Sequence, residues 1–455
     1  PHIHRADLAV ASDSEARRVV LDQARYLYKV GHYDESMALS RQLAAANEKP
    51  TDGIDHEFTV LTNLHLSNAS RMLGLYGEAR RLTTDSLEYM DRHPAFGTDH
   101  EYHAKLRNQR ALDLRIAGEY EQALAIDYDN LDHDDPNDRE TRRIDRNNIA
   151  VTYRLLGRFA EAHQIDRDIV REWEQEERRG HDPKALLARC NLARDMYGLG
   201  RYHEALELLR TTLPAYREVV GDKHSQVLLA TRVQVMALRK LGRTSDSISL
   251  ARENLYDMAL WFGDDHEFPL ATAISLVNAL LAAGDLGNAT IQASSVFAGC
   301  ERVFGGTHPA TLAMLVNSAA VLRALGDVRE ACRRDERAMT ELRATLGDEH
   351  PYTLSARHNF AVDLARLGFE GRSLDELKAV REVSGRHRDI THPDHLACEI
   401  DIALARIAIG GPAAGQEALT AATGDLAARL GAQHPNVLAA KEKQWLECDI
   451  EPPAT

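Results

Sequence analysis

Apolar and polar positions follow a helical period along almost the whole chain. In the stretch "TLAMLVNSAAVLRAL" (residues 311–325), the apolar residues recur every three or four positions, which predicts an amphipathic helix. Gly326 follows directly. Because glycine adopts the left-handed backbone conformation that ends many helices, this residue predicts a stop. The pattern therefore indicates a series of helices punctuated by glycines.

The glycine stop recurs at a nearly constant interval. Ten such stops are 39 to 44 residues apart, and the last five intervals are all 42 residues. They are Gly31, Gly74, Gly118, Gly157, Gly200, Gly242, Gly284, Gly326, Gly368 and Gly410. A small residue lies five positions past each stop, where it allows two helices to approach closely. Neither helix of such a pair can bury its apolar face alone, so neighbouring pairs must stack.

These intervals predict an all-α protein built from about ten helix hairpins. We assign the hairpin array to residues 1–433, a capping helix to residues 434–448 and an extended Pro-rich tail to residues 449–455. Histidines mark the predicted helix starts, and six of them are 42 residues apart: His224, His266, His308, His350, His392 and His434. Pro follows four of these six, and Pro is favoured at the first position of a helix. Chemistry does not need the same His in six successive hairpins, so we interpret the series as helix-start marks.

Two stretches carry a family resemblance. "LGDEHPYTLSARHNFAVDLARLG" (346–368) and "FGGTHPATLAMLVNSAAVLRALGDVREA" (304–331) resemble tetratricopeptide repeats of the 42-residue, kinesin-light-chain-like subclass. The resemblance covers nearly the whole chain. It implies a right-handed superhelical solenoid of antiparallel helix pairs, whose concave groove binds a peptide or a partner protein. It also implies an alternative function, because bacterial arrays of this kind are often the sensing part of STAND-type ATPases and regulators. The chain would then be the sensor or autoinhibitory arm of a larger protein.

Polar residues repeat where the resemblance places the groove, on the first helix of each hairpin. Arg lies three positions before the glycine in five repeats, and Asn lies nine or ten positions before it in several. This predicted Asn/Arg ladder comprises Arg71, Arg115, Arg154, Arg239, Arg323, Asn108, Asn147, Asn148, Asn191, Asn317 and Asn359, with Asn68 and Asn278 nearby at six positions before the glycine. An Asn amide offers a donor and an acceptor, so it can hold an extended peptide backbone. Arg pairs bidentately with carboxylate or phosphate. In the competing interpretation, the arginines pair with acids of neighbouring hairpins and the asparagines tie adjacent helices together.

The charge of the chain narrows the class of partner. The formal net charge is −15, which argues against general nucleic-acid binding, because that function normally shows a basic stripe in a basic domain. Because the repeated arginines can pair with carboxylates, we predict a protein or peptide partner that is acidic or carries a free C-terminal carboxylate. A homo-oligomer, or a contact with further domains of the same protein, is also compatible with the sequence. The five cysteines are widely spaced and no apolar run approaches a membrane span, which predicts a cytoplasmic protein with reduced thiols.

The sequence offers weak candidates for metal binding or catalysis. In "HPDHLAC", His392, His395 and Cys398 have a spacing that could present metal ligands on one helix. However, His392 belongs to the helix-start series, so we predict no metal. No Ser-His-Asp or Cys-His set is supported by order or spacing, and no G-x-x-x-x-G-K-[ST] motif is present. We therefore predict a protein that is not an enzyme and holds no cofactor.

Overall fold

Helices account for the regular structure of this protein. The computed structural model describes residues 14–47, 55–94, 96, 100–176, 181–387 and 389–453, and none of these residues forms a β-strand. Consecutive helices pack in pairs, which confirms the predicted all-α hairpin array. The helices are α1 (Ser14–Lys29), α2 (Tyr33–Asn47), α3 (His56–Met72), α4 (Tyr76–Arg92), α5 (Glu101–Ile116), α6 (Tyr120–His133), α7 (Arg139–Leu155), α8 (Phe159–Gln175), α9 (Pro183–Gly198), α10 (Tyr202–Val220), α11 (Ser225–Lys240), α12 (Thr244–Phe262), α13 (Glu267–Ala282), α14 (Leu286–Phe304), α15 (Pro309–Ala324), α16 (Val328–Leu346), α17 (Pro351–Arg366), α18 (Glu370–His387), α19 (Pro393–Gly410), α20 (Gln416–Leu430) and α21 (Pro435–Lys441).

The chain divides into two compact units. Among the described residues, the first comprises those up to Thr152 together with Ala259–His266, and the second comprises Tyr153–Met258 and those from Glu267 onward. In the second unit, the buried apolar side chains of neighbouring hairpins form shared clusters. One cluster joins Val235 of α11, Ile274 of α13 and Met314 of α15. The hairpins of this unit therefore stabilise one another through side chains about one repeat apart, as stacking requires.

The predicted glycines end the first helix of most hairpins. Gly31, Gly74, Gly118, Gly157, Gly200, Gly242, Gly284, Gly326 and Gly368 all have positive φ. The tenth position differs, because Gly410 is the last residue of α19 and the glycine with positive φ is Gly411, the C-cap, whose φ is 78°. The physical reason is Pro412, which begins a 3-10 turn. A residue that precedes proline is disfavoured in the helical conformation, so the stop falls on Gly411.

The structure confirms the prediction that the histidine series marks helix starts. The Nδ1 atoms of His224, His308, His350, His392 and His434 each accept a hydrogen bond from the backbone N–H two residues further on. In the second unit, three of these rings make a second contact through Nε2. They reach the carbonyl oxygens of Leu155, Gly198 and Lys240, at 3.0, 3.3 and 3.1 Å, across 194 or 195 residues of chain. Each of these rings therefore ties the start of one helix to the end of another.

The His-Pro helix starts approach the ends of the other helices so closely that the facing residue there must be glycine. A Cβ atom added at Gly157 would lie 2.2 Å from Cδ of Pro351, and one added at Gly200 would lie 2.5 Å from Cδ of Pro393. Both glycines also have positive φ, which disfavours other residues. The glycine stops and the His-Pro starts thus meet in space as well as alternating in sequence.

The C-terminal end of the array differs from the sequence-based assignment. The last helix, α21, ends at Lys441 rather than at residue 448, and residues 444–453 belong to no helix or strand. Lys443 has a φ of 60°, a left-handed conformation that stops the helix. From Leu446 onward, the backbone finds hydrogen-bond partners on other hairpins instead of within a helical turn. Of the tail predicted over 449–455, residues 454 and 455 lie outside the described residues.

Candidate peptide groove

The extended residues 445–453, hereafter the C-terminal segment, lie along the first helices of successive hairpins in the second unit. The apolar side chains of Leu446 and Ile450 are buried on one side of this segment. Glu447, Asp449 and Glu451 alternate with them, as side chains of an extended chain do. The segment contacts α11, α13, α15, α17 and α19, which are the helices predicted to line a groove.

Two asparagines of the predicted ladder hold the backbone of the C-terminal segment. Nδ2 of Asn359 donates to the carbonyl of Cys448 at 2.8 Å, and its Oδ1 accepts from the N–H of the same residue at 2.8 Å. Asn317 makes the same pair of hydrogen bonds with Ile450, at 2.8 and 3.0 Å. Asn317 and Asn359 are one repeat apart, and their targets are two residues apart. One repeat of the array therefore accompanies one dipeptide of extended chain.

The acidic side chains of the segment meet cations of the groove. Arg239 binds Asp449 bidentately with two distances of 2.7 Å, and it reaches Glu451 at 3.0 Å. Lys240 adds a contact of 2.9 Å to Asp449. Arg232 reaches Glu451 at 3.2 Å. All five of these groups are charged, and the side chains of Arg232, Arg239 and Glu451 are buried, so these hydrogen bonds are stronger than neutral ones.

The remaining contacts complete the pattern at both ends. Glu447 accepts from Arg323 at 3.0 Å and from Arg366 at 3.1 Å. At the other end, Ser275 donates to Glu451 at 2.7 Å, and Nδ2 of Asn278 donates to the same carboxylate at 3.0 Å. Every acidic side chain of the segment therefore has at least two partners in the groove.

The pKa of Asp449 reflects this arrangement. Burial opposes ionisation of the carboxyl, but Arg239 and Lys240 outweigh burial and lower the pKa of Asp449 below its ordinary value. In return, although burial disfavours the charged ammonium, Asp449 holds the pKa of Lys240 well above its ordinary value. The groove therefore favours a bound segment that is charged at this position.

A cysteine, a histidine and an aspartate also meet in the groove, although neither their order nor their spacing signalled it. The thiol of Cys448 lies 3.6 Å from Nδ1 of His358, whose Nε2 donates to Asp401 at 2.7 Å. The other oxygen of Asp401 accepts from the N–H of Leu446 at 3.1 Å. All three side chains are buried, at 4%, 1% and 0% exposure. Because they are closed to solvent and Asp401 also holds the backbone, this set anchors the C-terminal segment.

Four of the eleven predicted ladder residues contact the segment, namely Arg239, Arg323, Asn317 and Asn359. The others lie elsewhere. Arg154 bridges two acids of neighbouring helices, reaching Asp166 at 2.6 Å and Asp195 at 2.9 Å. In the first unit, Arg71 pairs with Asp113 and Arg115 with Asp127. Asn108, in the same unit, contacts Asp145 and Asn148. In the second unit, Asn191 accepts a hydrogen bond from Arg194, and the remaining residue, Asn147, lies on α7. The contacts of Arg71, Arg154 and Asn108 with residues of the next hairpin match the competing interpretation, in which the ladder ties hairpins together.

Arg154 and Arg239 have different partners because acidic residues are present near one and absent near the other, a signal that the sequence contains. Arg154 finds its two partners 12 and 41 positions further on. The residue 12 positions after Arg239 is Ala251, and Ala279 lies five positions before the stop Gly284, as Asp195 lies five positions before Gly200. Arg239 therefore has no acid at these two positions and pairs with the segment instead. Arg323 does both, because it binds Asp335 and Asp363 as well as Glu447.

The candidate metal ligands of "HPDHLAC" have separate partners. His392 caps α19, His395 contacts Ser384, and the thiol of Cys398 donates to the carbonyl of Leu377. Among the described residues, no group of three or more His, Cys, Asp or Glu side chains is placed to hold a metal. No helix in the described part of the chain is long and apolar enough to cross a membrane.

Fold and groove together define a helical repeat protein that holds an extended segment along its first helices. Comparison with protein families agrees, because residues 140–218 and 310–378 match the family model of the tetratricopeptide repeat. These two stretches thus carry tetratricopeptide repeats. No catalytic family is indicated. None of the curated proteins compared with the chain matches it.

Several solved structures are similar to this chain. A Rap protein in complex with Competence and Sporulation Factor is 12% identical, with a TM-score of 0.59, over 82% of this chain and 99% of that one. A putative kinesin light chain from Podosopora anserina is 24% identical, with a TM-score of 0.36, over 45% and 96% of the two chains. BtubC (BKLC) from P. vanneervenii is 17% identical, with a TM-score of 0.37, over 55% and 94%. The Rap likeness, at this identity, shows a shared fold.

Proposed function

We propose that this chain is a non-catalytic scaffold whose groove in the second unit binds an extended acidic segment of a partner protein. The observation that supports this most is the pair of reciprocal hydrogen bonds that Asn317 and Asn359 each make with one residue of an extended chain. These contacts read the backbone and are independent of side-chain identity. They would accept any extended segment in the same frame.

The cations of the groove add selectivity for acidic partners. Arg232, Arg239, Lys240, Arg323 and Arg366 all face the segment. A neutral partner would leave Arg232, Arg239 and Lys240 largely buried without their counter-charges, which is costly, whereas an acidic partner neutralises them. The similar Rap protein, solved in complex with a factor, supports the proposal that a fold of this kind receives a ligand.

The first experiment supplies a ligand from solution. In a D449K/E451K variant, the two new lysines face Arg239, Lys240 and Arg232, so charge repulsion should remove the native segment from the groove. A labelled peptide with the sequence of residues 445–453 should then bind, as measured by fluorescence anisotropy. Adding N317A and N359A removes four hydrogen bonds and should weaken binding at least about tenfold. Asn288, whose amide bonds to Asp285 on an exposed turn, provides the control variant N288A. Equal affinity in the N317A/N359A and N288A proteins would contradict the proposal.

A second proposal is the alternative function, in which the chain is a sensor or autoinhibitory arm of a larger STAND-type regulator. Its test is the native reading frame around Pro1, where an ATPase or DNA-binding module in the same frame would support it. A cytoplasmic location is likewise part of the proposal. It is supported by the five free cysteines, four of which are buried.

A further inference from the structure

We infer that the C-terminal segment is a built-in occupant of the groove, and that a partner binds by displacing it. The inference rests on the proposed function and specifies it further. The partner would be an extended segment with carboxylates at three alternate positions, in the pattern of Glu447, Asp449 and Glu451. In the unliganded protein, the groove would therefore be masked by its own tail.

The first argument is that the segment uses the contacts a partner would need. Asn317 and Asn359 each have one amide, and both of its polar groups are spent on Ile450 or Cys448. A second extended chain cannot form these hydrogen bonds while the segment is present. A partner segment and the C-terminal segment therefore cannot occupy these asparagines at the same time.

The second argument concerns the spacing of charge. Each of the three carboxylates meets two cations: Arg323 and Arg366 hold the first, Arg239 and Lys240 the second, and Arg239 and Arg232 the third. The backbone frame set by the asparagines fixes which side chains of a bound chain face these groups. A partner must therefore carry its acids two residues apart, and not merely be acidic.

The third argument is that the segment can leave without taking a helix with it. It follows α21 after a left-handed residue, Lys443, and residues 444–453 belong to no helix. The helix α21 has its own contacts with α20 and its own cap from His434. Release of the segment would thus expose the groove and leave the hairpins in place.

Cys448 provides a direct readout of release. Its thiol is 4% exposed and lies against His358, so it should react slowly with iodoacetamide while the segment is bound. Cys332, which is partly exposed and lies outside the groove on α16, serves as the reference thiol in the same protein. Modification of each cysteine can be followed separately by mass spectrometry of its proteolytic peptide. The experiment uses the full chain throughout.

We expect Cys448 of the wild type to react at least 100-fold more slowly than Cys448 of D449K/E451K, with Cys332 unchanged. A peptide of residues 445–453 carrying C448S, added in excess, should speed modification of wild-type Cys448 at least tenfold. The same peptide with E447Q, D449N and E451Q should not. The acidic peptide should also bind D449K/E451K at least tenfold more tightly than it binds the wild type.

Different failures point to different errors. If Cys448 reacts equally fast in both proteins, the segment does not occupy the groove and the inference is wrong. If Cys448 is exposed only in D449K/E451K but both proteins bind the acidic peptide equally, masking is refuted and the proposed function stands. If neither protein binds the peptide although Cys448 is exposed in the variant, the proposed function fails and the inference fails with it. Protection of Cys448 that rises with protein concentration would assign the segment to the groove of a second copy, which also overturns the inference.

Discussion

Arg239 offers the sharpest test of how the C-terminal segment is held. Its guanidinium is buried and binds both Asp449 and Glu451. The substitution R239M keeps an apolar side chain of considerable length but removes the charge and five hydrogen-bond donors. Two carboxylates then lose their shared partner while they remain in the groove. Release of the segment returns both carboxylates to water and avoids this cost.

The magnitude follows from the burial of the partners. Removing one member of a buried ion pair costs about 3 to 5 kcal/mol. The side chain of Asp449 retains 21% exposure and keeps Lys240 as a partner, which places the cost near the lower end of that range. A loss of about 3 kcal/mol corresponds to a roughly 100-fold larger population of the released state. We therefore expect Cys448 in R239M to react with iodoacetamide about 100-fold faster than in the wild type.

Arg154 supplies the matched control. It lies at the same position of its repeat and is equally buried, but it pairs with Asp166 and Asp195 of neighbouring helices. R154M should lower the midpoint of thermal unfolding and leave Cys448 protected at 25 °C. The reasoning is refuted if R239M leaves the Cys448 rate unchanged, or if R154M raises it as much as R239M does.

Three further predictions concern the backbone clamp, the glycine stops and pH. N317A leaves the buried N–H of Ile450 unpaired and leaves its carbonyl with only the longer, 3.3 Å contact from Asn278, at a cost of about 1 to 3 kcal/mol. Cys448 modification should therefore accelerate roughly 5- to 100-fold, and an unchanged rate would contradict the clamp. G200A combines a φ of 71° with a Cβ placed 2.5 Å from Pro393, so its melting temperature should fall further than that of G326A, where a Cβ meets nothing within 4 Å; equal losses would contradict the close approach. Burial lowers the pKa of His266 from 6.5 to about 3, so the unfolded chain binds the extra proton and stability falls as pH drops through this window. The stability advantage of the wild type over H266Q, measured by urea unfolding, should therefore shrink by about 1.4 kcal/mol per pH unit below 6.5, and a constant difference would refute the assignment.

The regular part of the fold was predictable from the sequence because it depends on local interactions. A glycine at positive φ and a capping histidine act within a few residues of themselves, so a 42-residue period of Gly and His-Pro predicts where helices end and begin. The same period predicts which asparagines share a face. Where a neighbouring residue overrides the pattern, the prediction shifts, as at Gly410, whose role passes to Gly411 because of Pro412.

The occupant of the groove was decided only by tertiary structure. Arg154 and Arg239 have the same place in their repeats, yet one joins hairpins and the other holds the C-terminal segment, because their partners come from other parts of the chain. The contacts of Arg239 with Asp449 and of Asn359 with Cys448 span 210 and 89 residues. No local pattern specifies such pairings, because they depend on where the stacked hairpins bring the end of the chain. The sequence by itself therefore determined the repeats and the polar face, and packing in three dimensions determined what that face binds.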